Sequence, residues 1–453
     1  MKVGLLSVRG RFDVIGWKGS KDSKMCLIDQ FSIKRMFRGC EFGILIFSFS
    51  RFARARFTMN GNHVLRRVAI PSRCYSIEQP PSLEDFNTLC SQKASAEDYP
   101  LSSSVQSNIP IYTLPDFFHP YPSTISALQD EWHHILLSGP GVFVIRGLFR
   151  DHELIEKVNT VYNSIIASET PSTKGDHFAS SGKNDRIWNS FTKHGILDPS
   201  SFLRYYSNPW IACICGAWLG PAYRVTAQVN VVKPGGAAQV SHRDYHLGFQ
   251  TADATAHFPK ATQAASQLLT LQGAVAHTDM PLDSGPTRFL PFSQLFAEGF
   301  MAYRLPYFNE YFLEHYVSLP LEQGDGVFFN PALFHAAGEN QTEAYERSAN
   351  LLQISSAFGK PMEMVDSMPL IEKCWTGLGQ MYRERGMSVE VEAFIAAVAE
   401  GYPFPTNLDR RPPAPGGMAP ESEQDVLRKG LEIGISVTEV VQELKRLRED
   451  SRA

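Results

Sequence analysis

The residues from which chemistry can first be read are Gln239-Val240-Ser241-His242-Arg243-Asp244-Tyr245-His246. In an extended strand alternate side chains share a face, so His242 and Asp244 point the same way. A neutral imidazole beside a carboxylate supplies two of the three ligands of a facial site for a divalent first-row metal. His335, far along the chain, offers a third donor, and Arg347 follows it by twelve positions. The pattern predicts that His242, Asp244 and His335 hold Fe(II) while Arg347 holds an acidic co-substrate. A guanidinium grips a carboxylate through two parallel charge-assisted hydrogen bonds, a geometry lysine cannot supply. Left unpaired in an apolar pocket it is costly, so a ligand is its natural partner. The alternative is an exposed arginine pairing with Glu343 or Glu346.

Thirteen histidines offer competing ligand sets. His246 falls on the strand face of His242 and Asp244, so this run could itself bind zinc or iron. His277 and Asp279 repeat the His-x-Asp pattern but read as a partly buried strand histidine beside a turn-initiating aspartate. His242-Arg243-Asp244 also matches the start of a protein-kinase catalytic loop. No asparagine stands five residues after Asp244, however, and neither a Gly-rich phosphate loop nor Asp-Phe-Gly follows.

The elements that must position these residues are mostly strands. Val225, Ala227, Val229 and Val231 alternate with Thr226, Gln228 and Asn230, giving a strand with one apolar and one polar face. Lys233-Pro234-Gly235-Gly236 makes a turn into the segment carrying His242. Further strands are expected at Gly141–Ile145, Leu268–Val275, Thr287–Leu290, Gly326–Phe329 and Ser348–Ile354. Strands without regularly alternating helices predict a mainly β core, a double-stranded β-helix (jelly roll, cupin-like) with flanking N-terminal and C-terminal α-helices. In that fold the third ligand lies on a strand antiparallel to the first pair. The stretch from Asp244 to His335 accommodates the intervening strands, whereas Asp279 to His335 is crowded. His152 to Ser168 has helical spacing, as does Val389 to Glu400. A terminal helix opens at Ser436 with a capping box to Glu439, its apolar stripe reading as intramolecular packing. Gly182 to Asn189, polar around Trp188, suits a loop over a pocket.

The expected organisation is a basic N-terminal tail at 1–77, a Ser/Pro/Gln-rich linker at 78–110, a catalytic domain at 111–360 and a helical C-terminal extension at 361–453. The tail carries 15 Lys/Arg against 4 Asp/Glu, a net of +11, so a whole-chain charge of −4 leaves −15 on the rest. A body that acidic is a poor match for nucleic acid, which draws affinity from phosphate neutralisation. No apolar run approaches a membrane span. Seven cysteines without a CxxC pair argue for a reducing compartment and against a disulfide framework. The Arg-rich, acid-free stretch from Phe42 to Ile77 has the composition of a mitochondrial transit segment, with Arg73-Cys74-Tyr75-Ser76 resembling a processing site. A plain basic tail on a cytoplasmic protein is the competing reading.

Taken together, these residues resemble the phytanoyl-CoA dioxygenase family of Fe(II)/2-oxoglutarate oxygenases, most closely its fungal natural-product branch. Gln239 to Asp244 is similar to the family's first metal-ligand strand, and Asp283-Ser284-Gly285-Pro286-Thr287-Arg288-Phe289-Leu290-Pro291 to its central turn. Gly324-Asp325-Gly326 leading to His335 and Arg347 resembles the distal ligand block. The likeness spans roughly residues 125–360. It implies that His242, Asp244 and His335 ligate iron and that Arg347 pairs with the distal carboxylate of 2-oxoglutarate. It also implies that Gln239 and Thr287 hydrogen-bond the same co-substrate. Gln239 poses a parity problem: three residues before His242 it faces away on a flat strand, so a bulge or a late strand start is required. Pro291-Phe292-Ser293-Gln294 departs from the family's Pro-Gly-Ser-His. The implied reaction uses O2 and 2-oxoglutarate to oxidise a C–H bond of a small-molecule substrate, releasing succinate and carbon dioxide. Retention of Asp244 favours oxygenation over halogenation. Tyr245, His246 and Trp188 are expected on the substrate side. A catalytically inactive jelly roll that binds a small molecule or a partner stands as the alternative, as does a different metal-dependent cupin-type enzyme.

Overall fold

The computed structural model describes residues 80–115, 122–169 and 184–453, together with a short ribbon in which Trp17–Lys18 pairs with Asp22–Ser23. The chain divides into two units, Met1–Pro71 and Ser72–Ala453, and the fold below is that of the second. Apart from the ribbon, the expected transit segment at 1–77 lies outside the described residues.

Among the described residues, the second unit has ten strands: β1 (Ser104–Gln106), β2 (Ile109–Thr113), β3 (Val142–Arg146), β4 (Asn184–Ile187), β5 (Arg224–Val232), β6 (Thr270–Ala276), β7 (Arg288–Leu290), β8 (Gly326–Phe329), β9 (Phe334–Ala336) and β10 (Arg347–Ser355). Eight of them form one sheet in the order β1-β2-β3-β8-β6-β10-β5-β4, antiparallel throughout except for the β2–β3 pair. The smaller sheet pairs β7 with β9. His242 bridges to His335 on one side of it, and Val317 bridges to Phe289 on the other. The chain therefore alternates between the sheets, β5, the His242 segment, β6, β7, the Val317 segment, β8, β9, β10, with one hairpin inside the smaller sheet where the Val317 segment follows β7. That alternation is a jelly roll.

The two faces of the large sheet meet different partners. Val225, Ala227, Val229, Val275, Phe328, Leu352 and Ile354 pack onto a helical layer that includes His152–Ser168, Pro199–Tyr206, Pro209–Leu219 and Ser367–Arg385. On the opposite face Ala274, Val327, Phe329 and Ala349 join Phe289 and Leu333 of the smaller sheet, with the Phe289 and Phe329 rings 5.0 Å apart. The alternation in β5 is thus real, but its polar face turns inward. Thr226 and Gln228 are 1% exposed and Asn230 8%.

The helices at His152–Ser168 and Val389–Val398 lie where periodicity places them, and Ser436 with Glu439 closes the expected capping box on Val437–Asp450. Val440, Val441 and Leu444 are buried within the unit, as intramolecular packing requires. The expected linker at 78–110 is different. It contains the helix Leu83–Cys90 as well as β1, and Phe86 sits fully buried among Phe296, Phe308, Tyr311 and Phe334. A single aromatic anchor in a polar segment leaves little periodicity, and tertiary docking supplies the stability that local propensity lacks. The expected loop at Gly182 to Asn189 is likewise corrected, because Asn184–Ile187 forms the edge strand β4. No described helix is long and apolar enough to cross a membrane.

Candidate metal centre

The segment carrying His242 pairs with β9 through two reciprocal backbone bonds, His242 N to His335 O at 3.0 Å and His335 N to His242 O at 3.1 Å. Further back, Gln239 N donates to Ala337 O at 3.0 Å. From Gln239 to His242 is three residues, whereas Ala337 to His335 is two, so one extra residue is accommodated as a bulge. The bulge reverses the parity of Gln239. It lines the same cavity as His242, with its Oε1 accepting from Ala337 N at 3.1 Å.

His242, Asp244 and His335 converge, their ligand atoms all within 4.8 Å of one another. His242 Nε2 lies 3.6 Å from Asp244 Oδ1, and His335 Nε2 lies 3.4 Å from Asp244 Oδ2. Each imidazole turns its other nitrogen to a backbone carbonyl, His242 Nδ1 to Val240 O at 2.9 Å and His335 Nδ1 to Leu333 O at 2.8 Å. A carbonyl only accepts, so Nδ1 carries the proton and both Nε2 lone pairs face the carboxylate. This is the tautomer that binds a metal. Burial lowers the His242 pKa, opposed by the Asp244 charge, and favours the neutral ring. Burial alone would raise Asp244, but the charge of His242 and His335 when they are protonated and a hydrogen bond from Gln272 outweigh it and hold the carboxyl well below its ordinary range. Neutral nitrogens and an ionised oxygen are the donor set that a divalent first-row cation takes.

Arg347 opens β10 and shares its cavity face with Ala349, Leu351 and Gln353. It is 5% exposed, and its Nε and Nη2 have no partner among the described residues. Glu343 and Glu346 form no ion pair with it. Burial pushes its pKa down to about 10, with no neighbouring charge to offset the cost. Such a group requires an anionic ligand more than it serves the fold. Thr287 lines the cavity beside the turn at Gly285, whose φ of +73° and contact with the Gly338–Glu339 backbone leave no room for a Cβ.

The triad, Arg347, Gln239 and Thr287 line one cavity of about 690 Å³. Three other expected residues lie outside its lining. Tyr245 and His246 have φ of 64° and 41°, so the chain leaves the strand immediately after Asp244. The Tyr245 phenol is buried near Thr226 and the Asp244 charge, and His246 Nε2 lies 3.2 Å from Lys360 O, which removes His246 from the ligand set. Trp188 lies under the Arg186 guanidinium at 5.0 Å, and Arg186 itself lines the cavity. His277 is fully buried, 2.9 Å from Tyr205 Oη and 2.6 Å from Asn159 Oδ1, a structural histidine. Gln294 donates to Gly139 O at 2.8 Å and takes no part in the site.

Sequence reasoning missed Arg186, Gln228, Asn230, Gln272 and Gln353, which line the polar wall of the cavity. The signal was available in β5: a polar face made of amides and threonine, without lysine or glutamate, suits an enclosed wall better than open solvent. Arg243 was also missed as a support. Its guanidinium is 1% exposed and donates to Ser293 O at 2.6 Å and Phe296 O at 3.1 Å, lying over the Phe300 and Phe334 rings. A Cβ on Gly299 would stand 1.9 Å from its Cζ. The cation between the two ligands thus pins their segment to the small sheet.

Residues 138–349 match the family model "Phytanoyl-CoA dioxygenase (PhyH)". Among curated proteins, the chain is similar to dioxygenase andF of Emericella variicolor, 24% identical over 254 residues, covering 52% of this chain and 81% of that one. It is also similar to dioxygenase cdmD of Talaromyces verruculosus, 28% identical over 179 residues, covering 37% and 54%. Among solved structures it resembles the non-heme alpha ketoglutarate dependent epimerase SnoN from nogalamycin biosynthesis. That match has 18% identity and a TM-score of 0.35, and covers 52% of this chain and 84% of that chain.

Proposed function

We propose that this dioxygenase, whose residues 138–349 carry a phytanoyl-CoA dioxygenase (PhyH) family domain, hydroxylates an unactivated C–H bond of a small organic molecule using Fe(II), O2 and 2-oxoglutarate. The observation that carries the reading is Arg347: a buried guanidinium with unpartnered nitrogens in the cavity that also holds the His242–Asp244–His335 cluster. His242 Nε2, Asp244 and His335 Nε2 are the donors for the metal. When bound, iron and 2-oxoglutarate supply the oxidising power, with succinate and carbon dioxide as by-products.

The chain's own residues bind, orient and exclude water. Arg347 takes the distal carboxylate of 2-oxoglutarate, with Gln239 and Thr287 as additional contacts. The carbonyls of Val240 and Leu333 hold the two imidazoles in their ligating tautomer. Phe329 packs edge-on to the His335 ring at 4.8 Å and shields it from water. Ala274, Ala349, Leu351 and Val327 give the floor a close apolar surface on which a hydrocarbon part of the substrate can rest. Position close to the metal, more than any proton transfer by the protein, is what this cavity contributes.

The test is oxygen-dependent turnover of 2-oxoglutarate to succinate by the full chain loaded with Fe(II). Slow succinate release without a prime substrate is expected, abolished in His335→Ala. Iron-loaded, folded protein that releases no succinate, alone or with a panel of small apolar substrates, would sink the dioxygenase reading.

A further inference from the structure

The carboxylate at the centre of the cluster is held from behind by an amide. Gln272 Nε2 lies 2.5 Å from Asp244 Oδ2 and 3.2 Å from Gln353 Oε1. Gln272 on β6 and Gln353 on β10 are directly opposed in the sheet, and they are 3% and 6% exposed. An amide nitrogen has two hydrogens, and here each finds one acceptor. Rotating the amide by half a turn would set its oxygen against the Asp244 carboxylate and the Gln353 carbonyl oxygen, so the pair dictates its own orientation. The cost is visible at the other end, where Gln272 Oε1 is buried without a partner among the described residues. A charge-assisted bond to a carboxylate outweighs that neutral loss.

The geometry matters because both oxygens of Asp244 face imidazoles, Oδ1 toward His242 and Oδ2 toward His335. A carboxylate so placed and otherwise unrestrained can chelate a metal through both oxygens. Three single-atom protein ligands leave three positions of an octahedral ion open, and a chelating carboxylate leaves two. Two-point binding of 2-oxoglutarate together with O2 uses three.

We propose that Gln272, oriented by Gln353, is a positioning residue that occupies Asp244 Oδ2 and thereby restricts Asp244 to one-oxygen coordination through Oδ1. The proposal rests on the metal-site reading above. Gln272, on the cavity wall, acts through Asp244. Gln353 acts one step further out, through the amide of Gln272.

The experiment uses full-length protein with Co(II) as a spectroscopic stand-in for iron, titrated anaerobically with 2-oxoglutarate. Wild type should bind Co(II) and change its visible spectrum as the keto acid displaces solvent. Gln272→Leu, which keeps the bulk but has no donor, should still bind Co(II) but show an altered spectrum before any 2-oxoglutarate is added. Its affinity for 2-oxoglutarate should fall by roughly 10-fold or more, the scale on which losing a hydrogen bond to a metal ligand lowers metal affinity or activity. Gln353→Leu should shift the spectrum in the same direction by a smaller amount, and it decides the matter if Gln272→Leu does not fold. An unchanged cobalt spectrum with 2-oxoglutarate affinity within about twofold of wild type overturns the proposal. Wild type that binds no cobalt overturns the metal-site reading itself, and this proposal with it.

Discussion

Replacing Arg347 with methionine should make the ligand-free protein more stable while removing its response to 2-oxoglutarate. The folded-state pKa of Arg347 falls from 12.5 to about 10, with burial as the cause. A depressed pKa on a base means that the fold disfavours the charged form. The cost is absent above both values, grows as pH falls through them and is complete below about pH 10, hence at any physiological pH. A depression of that size corresponds to about 3 kcal/mol at 1.36 kcal/mol per unit. Methionine retains the apolar stem and removes the charge, so a net gain of roughly 1–3 kcal/mol is expected, as when buried charges elsewhere give way to apolar residues. In a chain of this size that raises Tm by roughly 2 °C per kcal/mol. Adding 2-oxoglutarate at ~100 times its Kd stabilises wild type by about 2.7 kcal/mol. The variant should gain nothing. Thermal unfolding with Co(II), with and without 2-oxoglutarate, should therefore show the variant ahead without ligand and wild type closing that gap or overtaking it once 2-oxoglutarate is added. A variant that is less stable without ligand and still shifts with 2-oxoglutarate would refute the assignment of Arg347 as an unpaired ligand cation.

Asp244→Ala should lose Co(II) binding while keeping the fold, read by equilibrium dialysis and circular dichroism; retention of stoichiometric metal would move the site elsewhere. Arg243→Met removes charge-assisted bonds to the Ser293 and Phe296 carbonyls, which keep the Phe296 and Gly299 backbone N–H donors, together with the stacking on Phe300 and Phe334, and should cost roughly 1–3 kcal/mol in urea unfolding. A cost under ~0.5 kcal/mol, the scale of an ordinary surface change, would show that the segment is held by its backbone pairing alone. Burial lowers His277 to about 3 and His194 to about 4, from 6.5. Because the unfolded chain takes up protons first, stability should fall as pH drops from 6.5 toward those values, by about 1.4 kcal/mol per histidine between pH 7.5 and 5.5. His277→Gln should remove one proton from that dependence, and an unchanged slope would contradict the buried neutral ring.

The fold and the centre of the site were legible for a specific reason. His242, Asp244, His335 and Arg347 are polar residues punctuating extended apolar runs, so both their types and their parity survive in one dimension. The features that escaped are those whose cause lies across the sheets. Gln228 and Asn230 read only as a polar face, because alternation separates two faces without saying which is wet. The parity problem at Gln239 was visible, but the partner that resolves it, Ala337, is recorded in no local pattern. The helix Leu83–Cys90 exists because Phe86 reaches a ring cluster assembled from residues more than two hundred positions away. His246 was placed on the site face by extrapolating a strand that ends at Asp244, and Tyr245 was expected beside it on the substrate side. Positive φ at two consecutive non-glycine residues is not a sequence-visible event.

The central claim, that one cavity holds Fe(II) on His242, Asp244 and His335 with 2-oxoglutarate on Arg347, is tested most directly by anaerobic absorbance. Full-length protein loaded with Fe(II) should develop a weak visible band as 2-oxoglutarate is added. The band should be absent in His335→Ala, and in Arg347→Met it should appear only at much higher 2-oxoglutarate. Iron-loaded wild type that shows no band at saturating 2-oxoglutarate would contradict the claim.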